Sequence, residues 1–475
     1  FNSMEDENIA QAIPNARASQ WMEENIPLFE CSQKNFEEMY YYRWWTLRKH
    51  IKETPVGYGM TEFLVNRSYA DKYNLIACAI GHHIYESRWL RNPEYLNQII
   101  HTWYRGNEGG PMAKMTKFSS WNADAVLGRY MVDGNKEFLL DMVKDLEAEY
   151  ARWEKTNRLP NGLYWQGDVQ DGMEESISGG RRKQYARPTI NSYMYGNAKA
   201  LSLIGIMTGD EGMAMKYGLK ADSIKTLVQD KLWNTDHHFF ETMRGDASAE
   251  VREAIGYIPW YFNLPDASSK YTVAWKEVMD EKGFSAPYGL TTAERRHPEF
   301  RTHGVGKCEW DGAIWPFASA QTLTAMANFM NNYPQTVLTD SVYFHHMERY
   351  VESQHHRGRP YIGEYLDEVT GYWLKGDQER SRYYNHSTFN DLMITGLIGL
   401  RPRMDNTVEV NPLIPEGKWD YFCLDNVLYH GRNLTILWDK DGSRYQRGKG
   451  LHIYVDGKEV GHADTLTRVL CENVL

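Results

Sequence analysis

The sequence has few cysteines, no basic excess and no long apolar run. Five cysteines are scattered over 475 residues without a CxxC pair, which argues against a disulfide scaffold and a zinc finger. With 53 Lys and Arg against 63 Asp and Glu, the net charge is −10, so no nucleic-acid partner is expected, because phosphates select a concentrated basic face. The apolar stretch at 392–400 is far shorter than the roughly 20 residues of a membrane-spanning helix, so no membrane partner is expected either.

Several motifs that mark common enzyme classes are absent as well. The chain has no GxxxxGK[ST] segment, no GxGxxG after a predicted strand and no GxSxG. Loops that cradle phosphates and the serine turn of acyl-transfer enzymes need those spacings. Nucleotide-dependent and acyl-enzyme chemistry are therefore disfavoured.

Aromatic side chains, in contrast, are abundant. The sequence contains 16 Trp, 32 Tyr and 16 Phe. Such rings either fill a large core or stack on the flat face of a ligand. Composition alone leaves both interpretations open, with core packing as the simpler one.

Apolar residues recur at helical spacing from about residue 35 to 400. Met213, Tyr217, Ala221 and Ile224 follow one another at intervals of four and three, as on one buried helix face. Helices are predicted at 35–52, 68–91, 92–105, 119–133, 135–156, 188–208, 210–233, 250–262, 266–281, 310–330, 334–353 and 383–399. Helices in consecutive pairs predict an all-α-dominated fold, a six-hairpin toroid or (α/α)6 barrel. A stacked solenoid is the alternative, but no repeat of about 34–45 residues is visible.

The pattern changes after residue 403. Leu434, Ile436 and Trp438 alternate with polar residues, as in a half-buried strand. Asp-Gly pairs at 441–442 and 456–457 supply hairpin turns. We therefore predict three parts: an N-terminal wrapping arm (1–34), a helical barrel (35–403) and a small C-terminal antiparallel β-sheet unit (404–475).

Three predicted connections, 157–187, 284–309 and 354–382, are long, polar and rich in glycine. The first carries Trp165 and four carboxylates within eight residues, the second leads into Glu-Trp-Asp at 309–311, and the third carries Gly-Glu-Tyr-Leu-Asp-Glu-Val-Thr-Gly at 363–371. Long ordered loops in a compact domain are usually functional. An acidic loop can be merely a solvated surface, but the same mixture of carboxylates, glycines and aromatics in three loops favours a site.

Cleavage of a glycosidic bond is the chemistry that this mixture suits. It needs one protonated carboxyl group to donate to the leaving oxygen and one carboxylate to activate water or to attack carbon. Indole faces stack on the apolar face of a sugar ring, while carboxylates and amides accept hydrogen bonds from its hydroxyl groups. Loops that converge at one end of a helical toroid could bring residues 174 and 364 together across a pocket.

The order and spacing of these segments resemble the six-hairpin glycosidases, a group that includes processing α-glucosidases, trehalases and mannosylglycerate hydrolases. The likeness covers about 35–475 and is greatest to the mannosylglycerate-hydrolase-like branch. It implies an (α/α)6 barrel and an inverting mechanism that uses no metal and no cofactor, with a carbohydrate as the substrate.

The resemblance also implies roles for individual residues. Asp-Gly-Met-Glu at 171–174 stands in the place of the Ser-Gly-aromatic/Met-Asp loop that carries the general acid, so Glu174 is the candidate acid. Because Glu replaces Asp there and Asp171 replaces Ser, Asp171 is the second candidate. Glu364 falls on the general base of a Glu-Tyr-x-Asp-x-x-Thr-Gly loop. Candidate sugar-binding residues are Trp310, Asp311, Trp315, Tyr365, Trp165 and Asp71.

The resulting hypothesis is an exo-acting, inverting glycoside hydrolase. A polysaccharide lyase on the same toroid is one alternative, since Arg181, Arg182, Lys183 and Arg187 could neutralise an acidic sugar; a non-catalytic sugar-binding protein is another. Glycan-degrading relatives lead us to expect a periplasmic or secreted location, with a cytoplasmic one as the alternative, although the first residues show no signal-peptide pattern. The sugar, its linkage and the oligomeric state stay open.

Overall fold

Helices form most of the regular structure in the computed structural model, which describes residues 1–4 and 6–475. Asn92, Asn135 and Asp210 each precede a helix and accept a hydrogen bond from a backbone N–H of its first turn, as good capping residues do. No described helix has both the length and the apolarity needed to cross a bilayer. The helices are α1 (Ala18–Asn25), α2 (Lys34–His50), α3 (Ile80–Ser87), α4 (Pro93–Arg105), α5 (Asn122–Asp133), α6 (Lys136–Asn157), α7 (Pro188–Thr208), α8 (Glu211–Leu227), α9 (Ile258–Tyr261), α10 (Ser269–Thr272), α11 (Pro316–Asn332), α12 (Asp340–Ser353) and α13 (Asn390–Leu392).

Alternate helices contact one another in a closed circle. α3 packs against α5, α5 against α7, α7 against α9, α9 against α11, α11 against α13, and α13 returns to α3. α4, α6, α8 and α12 pack on this ring through α3, α5, α7 and α11 respectively. Burial explains the two layers: every residue from 188 to 198 of α7 is buried, whereas α8 buries one face only, as a helix on the outside should.

The predicted buried face of α8 is confirmed, but some predicted helices are shorter than expected. Met213, Tyr217, Ala221 and Ile224 are all buried. Of the helix predicted at 68–91, only α3 is an α-helix. Residues 73 and 74 have φ values of 62° and 66°, which a right-handed helix cannot accommodate. The predictions at 250–262, 266–281 and 383–399 were likewise too long, since these stretches contain short α-helical pieces beside 3-10 or π turns.

A five-stranded antiparallel sheet follows the helices, in agreement with the alternation seen at 434–438. Its order is Leu28–Cys31, Tyr421–Tyr429, Arg432–Asp439, Gly450–Val455 and Lys458–Ala463. The first of these strands comes from the N-terminal arm, where Phe29 pairs with Leu424. The arm thus completes the edge of the sheet, a role that local sequence did not indicate; the three-part division of the chain stays a prediction. Shorter pairings join Ile51–Thr54 to Gly57–Met60 and Val408–Val410 to Val469–Cys471.

Most of the aromatic surplus lies in the core. Trp44, Trp89, Trp103, Trp121 and Trp275 are each at most 1% exposed. Many rings meet edge to face or tilted, such as Trp121 with residues of α7 and α11, as ring quadrupoles prefer. The composition therefore reflects chiefly a large helical core, and only a small subset of rings is left for a site.

Candidate active site

The loop that carries Glu364 is held against the start of α11. Ile314 and Leu366 exchange two backbone hydrogen bonds, each with an N···O distance of 3.0 Å, so 363–367 runs beside 309–315. Glu364 is buried, and its carboxylate accepts a hydrogen bond from Arg380 Nη2 at 3.0 Å with Lys375 Nζ at 3.8 Å. The two cations fix the carboxylate in place and offset the cost of burying its charge.

The loop that carries Glu174 turns tightly just before that residue. A 3-10 turn spans Val169–Asp171, and Gly172 follows with φ 72°, a left-handed conformation that glycine adopts without steric cost. Met173 N donates to Asp168 O at 2.8 Å and closes the turn. Glu174 is left half-buried, whereas Asp171 is buried.

Asp171 anchors this loop to the barrel. Its Oδ2 lies 2.6 Å from Arg187 Nε, and both side chains are fully buried. Thr189 Oγ1 at the start of α7 and Ser119 Oγ before α5 also donate to the carboxylate. A carboxylate with three protein donors and no exposed surface is poorly placed to protonate a substrate, so the geometry favours Glu174 over Asp171 as the acid.

Electrostatics connect the Glu174 and Glu364 loops. Burial raises the pKa of Glu174 from 4.5 to about 7, and the nearby charges of Glu364 and Asp168 add to this effect. The same two glutamates help raise the pKa of the Cys308 thiol to about 12, after burial as the largest cause, so Cys308 lies near both. Although carboxylates gather here, no group of three or more His, Cys, Asp or Glu within 1–4 and 6–475 is arranged to hold a metal ion.

Three of the predicted sugar-binding aromatics form one stack. Trp315 lies parallel to Trp310 at a ring distance of 4.4 Å and to Tyr365 at 4.5 Å. Its indole N–H donates to Glu309 O at 3.2 Å. Because rings cover both faces of Trp315, it supports the neighbouring rings and the Glu364 loop. Sugar binding by Trp310, Trp315 and Tyr365 stays a prediction.

The other predicted sugar-binding residues have local structural partners. Asp311 is buried, and its Oδ2 accepts from two backbone N–H groups of the preceding loop at 2.6 and 3.0 Å. Asp71 accepts from the backbone N–H groups of Lys72 and Lys114. Trp165 lies in a two-residue strand beside Tyr185–Ala186. Within residues 1–4 and 6–475, no hydrogen bond or ring contact joins these three side chains to Glu174 or Glu364, so their role in sugar binding stays a prediction.

The basic cluster that suggested a lyase is partly used within the protein. Arg187 is the buried partner of Asp171, and Arg181 forms an ion pair with Glu175. Arg182 and Lys183 are exposed. Two of the four cations are thus neutralised by carboxylates of the same loop, which weakens the case for recognition of an acidic sugar.

Sequence reasoning missed a third carboxyl group of this site, that of Glu62. Burial raises the pKa of Glu62 to about 7, and the charges of Glu364 and Glu174 contribute. Tyr384 and Cys78 hydrogen-bond to it. Tyr384 lies 322 residues from Glu62 in sequence, and the three residues belong to no motif, so only the folded chain could reveal the cluster.

A ring of helices with two carboxyl-bearing loops that approach each other defines a class, that of the helical glycoside hydrolase domains. Residues 72–387 match the model of the mannosylglycerate hydrolase MGH1-like glycoside hydrolase domain, and 400–462 match the C-terminal domain of glycosyl hydrolase family 65. The chain belongs to the MGH1-like glycoside hydrolase family. The resemblance inferred from the loop sequences is thereby confirmed.

Similar solved structures fall into the same class. A chain named sialidase shares 84% sequence identity with this chain, with a TM-score of 0.99. The match covers 100% of this chain and only 44% of the sialidase chain, so this chain spans less than half the length of that relative. The GH63 mannosylglycerate hydrolase from Thermus thermophilus in complex with glucose shares 12% identity, TM-score 0.58, over 75% of this chain and 99% of its own. The GH78 family rhamnosidase of a Bacillus species shares 11% sequence identity with a TM-score of 0.61, and the match covers 87% of this chain and 40% of the rhamnosidase chain. The last two show a common fold.

Proposed function

We propose that this chain is an exo-acting, inverting glycoside hydrolase with Glu174 as general acid and Glu364 as general base. We also propose that the closed circle α3, α5, α7, α9, α11 and α13 is the inner layer of an (α/α)6 barrel. Support for the barrel comes from the alternation of buried and one-faced helices and from the fold shared with the mannosylglycerate hydrolase. Support for the reaction comes from the two carboxyl groups.

The proposed reaction is a single displacement at the anomeric carbon. Glu174 transfers its proton to the glycosidic oxygen as the bond to the anomeric carbon breaks. Glu364 takes a proton from a water molecule, whose oxygen attacks from the opposite face. The cycle leaves Glu174 ionised and Glu364 protonated, and exchange with solvent restores both.

The observation that carries this proposal is the contrast between the surroundings of Glu364, which two cations hold, and those of Glu174, where burial favours the protonated form. A pKa raised to about 7 by burial and by the charges of Glu364 and Asp168 keeps a protonated acid available near neutral pH, as general acid catalysis requires. Glu364, in contrast, is ion-paired with Arg380 and Lys375. Two carboxyl groups in such different surroundings suit the separate roles of acid and base.

The names of similar proteins define the substrates to test first. They are mannosylglycerate, rhamnosides and sialosides, to which we add α-mannosides and α-glucosides, each as a natural glycoside and as an aryl glycoside. Product anomers followed by NMR report stereochemistry, and the size of the first product reports exo or endo action. A first product with retained configuration contradicts the inverting mechanism.

Two substitutions test the assigned roles. Glu174→Gln should lower turnover of substrates with poor leaving groups by about 10²–10⁴-fold but affect dinitrophenyl glycosides much less, because a good leaving group needs no proton. Glu364→Gln should impair both substrates. Glu175→Gln, next in sequence and paired with Arg181, is the control and should retain activity.

The alternatives make different predictions. A lyase would release an unsaturated product whose C=C bond absorbs in the ultraviolet. A non-catalytic sugar-binding protein would bind oligosaccharides in calorimetry and never cleave them. Either outcome contradicts the proposed hydrolysis.

A further inference from the structure

Glu62 is a buried carboxyl group for which the described part of the chain provides no cationic partner. It follows the hairpin Ile51–Thr54 and Gly57–Met60 and is 3% exposed. Tyr384 Oη donates to Oε1, and Cys78 Sγ donates to Oε2 at 3.1 Å. Among residues 1–4 and 6–475, no Lys, Arg or His ion pair to Glu62 is found, unlike Glu364 with its two cations. A buried carboxyl group held by neutral donors alone is costly to ionise.

Its partners connect Glu62 to both loops of the proposed site. Cys78 packs against Gly172, two residues before Glu174: a β-carbon built on Gly172 would lie 3.4 Å from Cys78 Cβ and 3.7 Å from Sγ. On the other side, Tyr384 N donates to Ile362 O at 3.3 Å, two residues before Glu364. Glu62 O also accepts from Asn385 N at 2.9 Å.

Glu62 interacts with the charges of this site. Its pKa is about 7, the value that Glu174 also has, and burial is the main cause in both. Hydrogen bonds from Tyr384 and Cys78 lower the pKa of Glu62, and the charges of Glu364 and Glu174 raise it. The charge of Glu62 in turn helps raise the pKa of Tyr69. The charges of Glu364, Asp168 and Arg181 act on the pKa of Glu174. The charge of Glu174 acts in turn on the pKa of Lys117.

We propose that Glu62 is a positioning residue for the proposed acid–base reaction: through Cys78 and Tyr384 it ties the acid loop to the base loop, close enough for its charge to act on Glu174. This inference rests on the proposed function for its catalytic consequence. When two carboxyl groups interact and have similar pKa values, they lose their protons in two steps, and each apparent pKa describes the pair and not one residue. A proton therefore stays on Glu174 in part of the molecules to higher pH than it would without the charge of Glu62.

The first test is the pH profile of Glu62→Gln on whichever glycoside the panel identifies. Gln keeps the size and an acceptor for Tyr384 but cannot ionise. The alkaline limb of kcat/KM should become steeper and move down by roughly half to one pH unit, the size of shift that one nearby carboxylate causes. Glu149→Gln is the matched control, since Glu149 is also buried and accepts from a tyrosine, Tyr104, and from Asn122; its profile should match that of the wild type.

Two results of this profile overturn the proposal. An unchanged alkaline limb in Glu62→Gln shows that Glu62 is structural only. Loss of turnover on poor leaving groups with retained turnover of dinitrophenyl glycosides shows that Glu62 is itself the acid. If Glu62→Gln fails to fold, Cys78→Ala is the second variant, because it removes one hydrogen-bond donor to the Glu62 carboxylate and so raises the pKa of Glu62. The alkaline limb of kcat/KM should then move down by less than in Glu62→Gln. An unmoved limb contradicts the proposal.

The second test needs no substrate, so it separates failure of this inference from failure of the proposed function. A carboxyl group whose pKa is raised by folding stabilises the protein below its unfolded pKa, and that contribution is lost as pH rises through about 7. Thermal or urea unfolding between pH 5 and 8 should show non-additive effects of Glu62→Gln and Glu174→Gln, because each removes charge repulsion that acts on the other. Glu149→Gln and Glu174→Gln should be additive. Additivity in both cycles overturns the proposed action of the Glu62 charge on Glu174.

Discussion

Replacing Asp171 by Asn tests the anchoring role of a fully buried carboxylate in the Glu174 loop. Asp171 Oδ2 lies 2.6 Å from Arg187 Nε with both side chains fully buried, so Asp171→Asn leaves a guanidinium charge without its closest counter-ion. Removing one partner of a buried ion pair costs about 3–5 kcal/mol. Ser178 Oγ still accepts from Arg187 at 3.1 Å, and the charges of Asp168 and Glu253 act on it. We therefore expect a loss near the lower end, about 3 kcal/mol of unfolding free energy at pH 7.

Urea unfolding followed by tryptophan fluorescence measures this loss. The control is Glu175→Gln, which removes the partner of Arg181, a side chain 57% exposed; solvent screening should limit its effect to less than about 1 kcal/mol. Folded Asp171→Asn protein should retain the leaving-group dependence of the wild type. A variant of unchanged stability that loses turnover only on poor leaving groups refutes this reasoning and makes Asp171 the acid.

Two further substitutions test the packing behind the site. Trp315→Ala removes the middle ring of the aromatic stack, so it should lower the free energy of unfolding by about 3–5 kcal/mol and lower kcat of the folded protein. Trp419 is also buried but packs on the sheet, so Trp419→Ala should leave kcat unchanged. Equal losses of kcat in the two variants would contradict the supporting role of Trp315. Gly81→Ala would place a β-carbon 2.2 Å from Trp121, so the urea midpoint should fall by the equivalent of about 1–3 kcal/mol; Gly212→Ala, which has space around it, should not lower it.

Local sequence was sufficient where the signal depends on neighbours along the chain. The spacing of Met213, Tyr217, Ala221 and Ile224 predicted a buried face that α8 shows, because a helix repeats every 3.6 residues whatever surrounds it. The alternation at 434–438 predicted a strand for the same kind of reason. Helix prediction failed at 68–79, where positive φ values at residues 73 and 74 depend on packing with other segments.

The site was predictable only in part. The Gly-Glu-Tyr-Leu-Asp-Glu-Val-Thr-Gly segment drew attention to Glu364 because carboxylates, glycines and aromatics stand together in sequence. Asp171 and Glu174 could not be ranked that way, since they are three residues apart in one acidic loop. Their difference arises from Arg187 at the end of the same loop, Thr189 at the start of α7 and Ser119 before α5. All three donate hydrogen bonds to Asp171, and the order of residues in the loop does not reveal those contacts.

The sequence by itself determined the helical character of this protein, its terminal sheet and the loops in which we propose that its chemistry lies, since those follow from periodicity and composition. Tertiary structure alone decided which carboxyl groups carry protons near neutral pH. Burial and the negative charges of neighbouring carboxylates raise the pKa values of Glu62 and Glu174, and both effects depend on residues from distant parts of the chain. A third carboxyl group between the two loops is therefore a property of the folded ring and not of any motif.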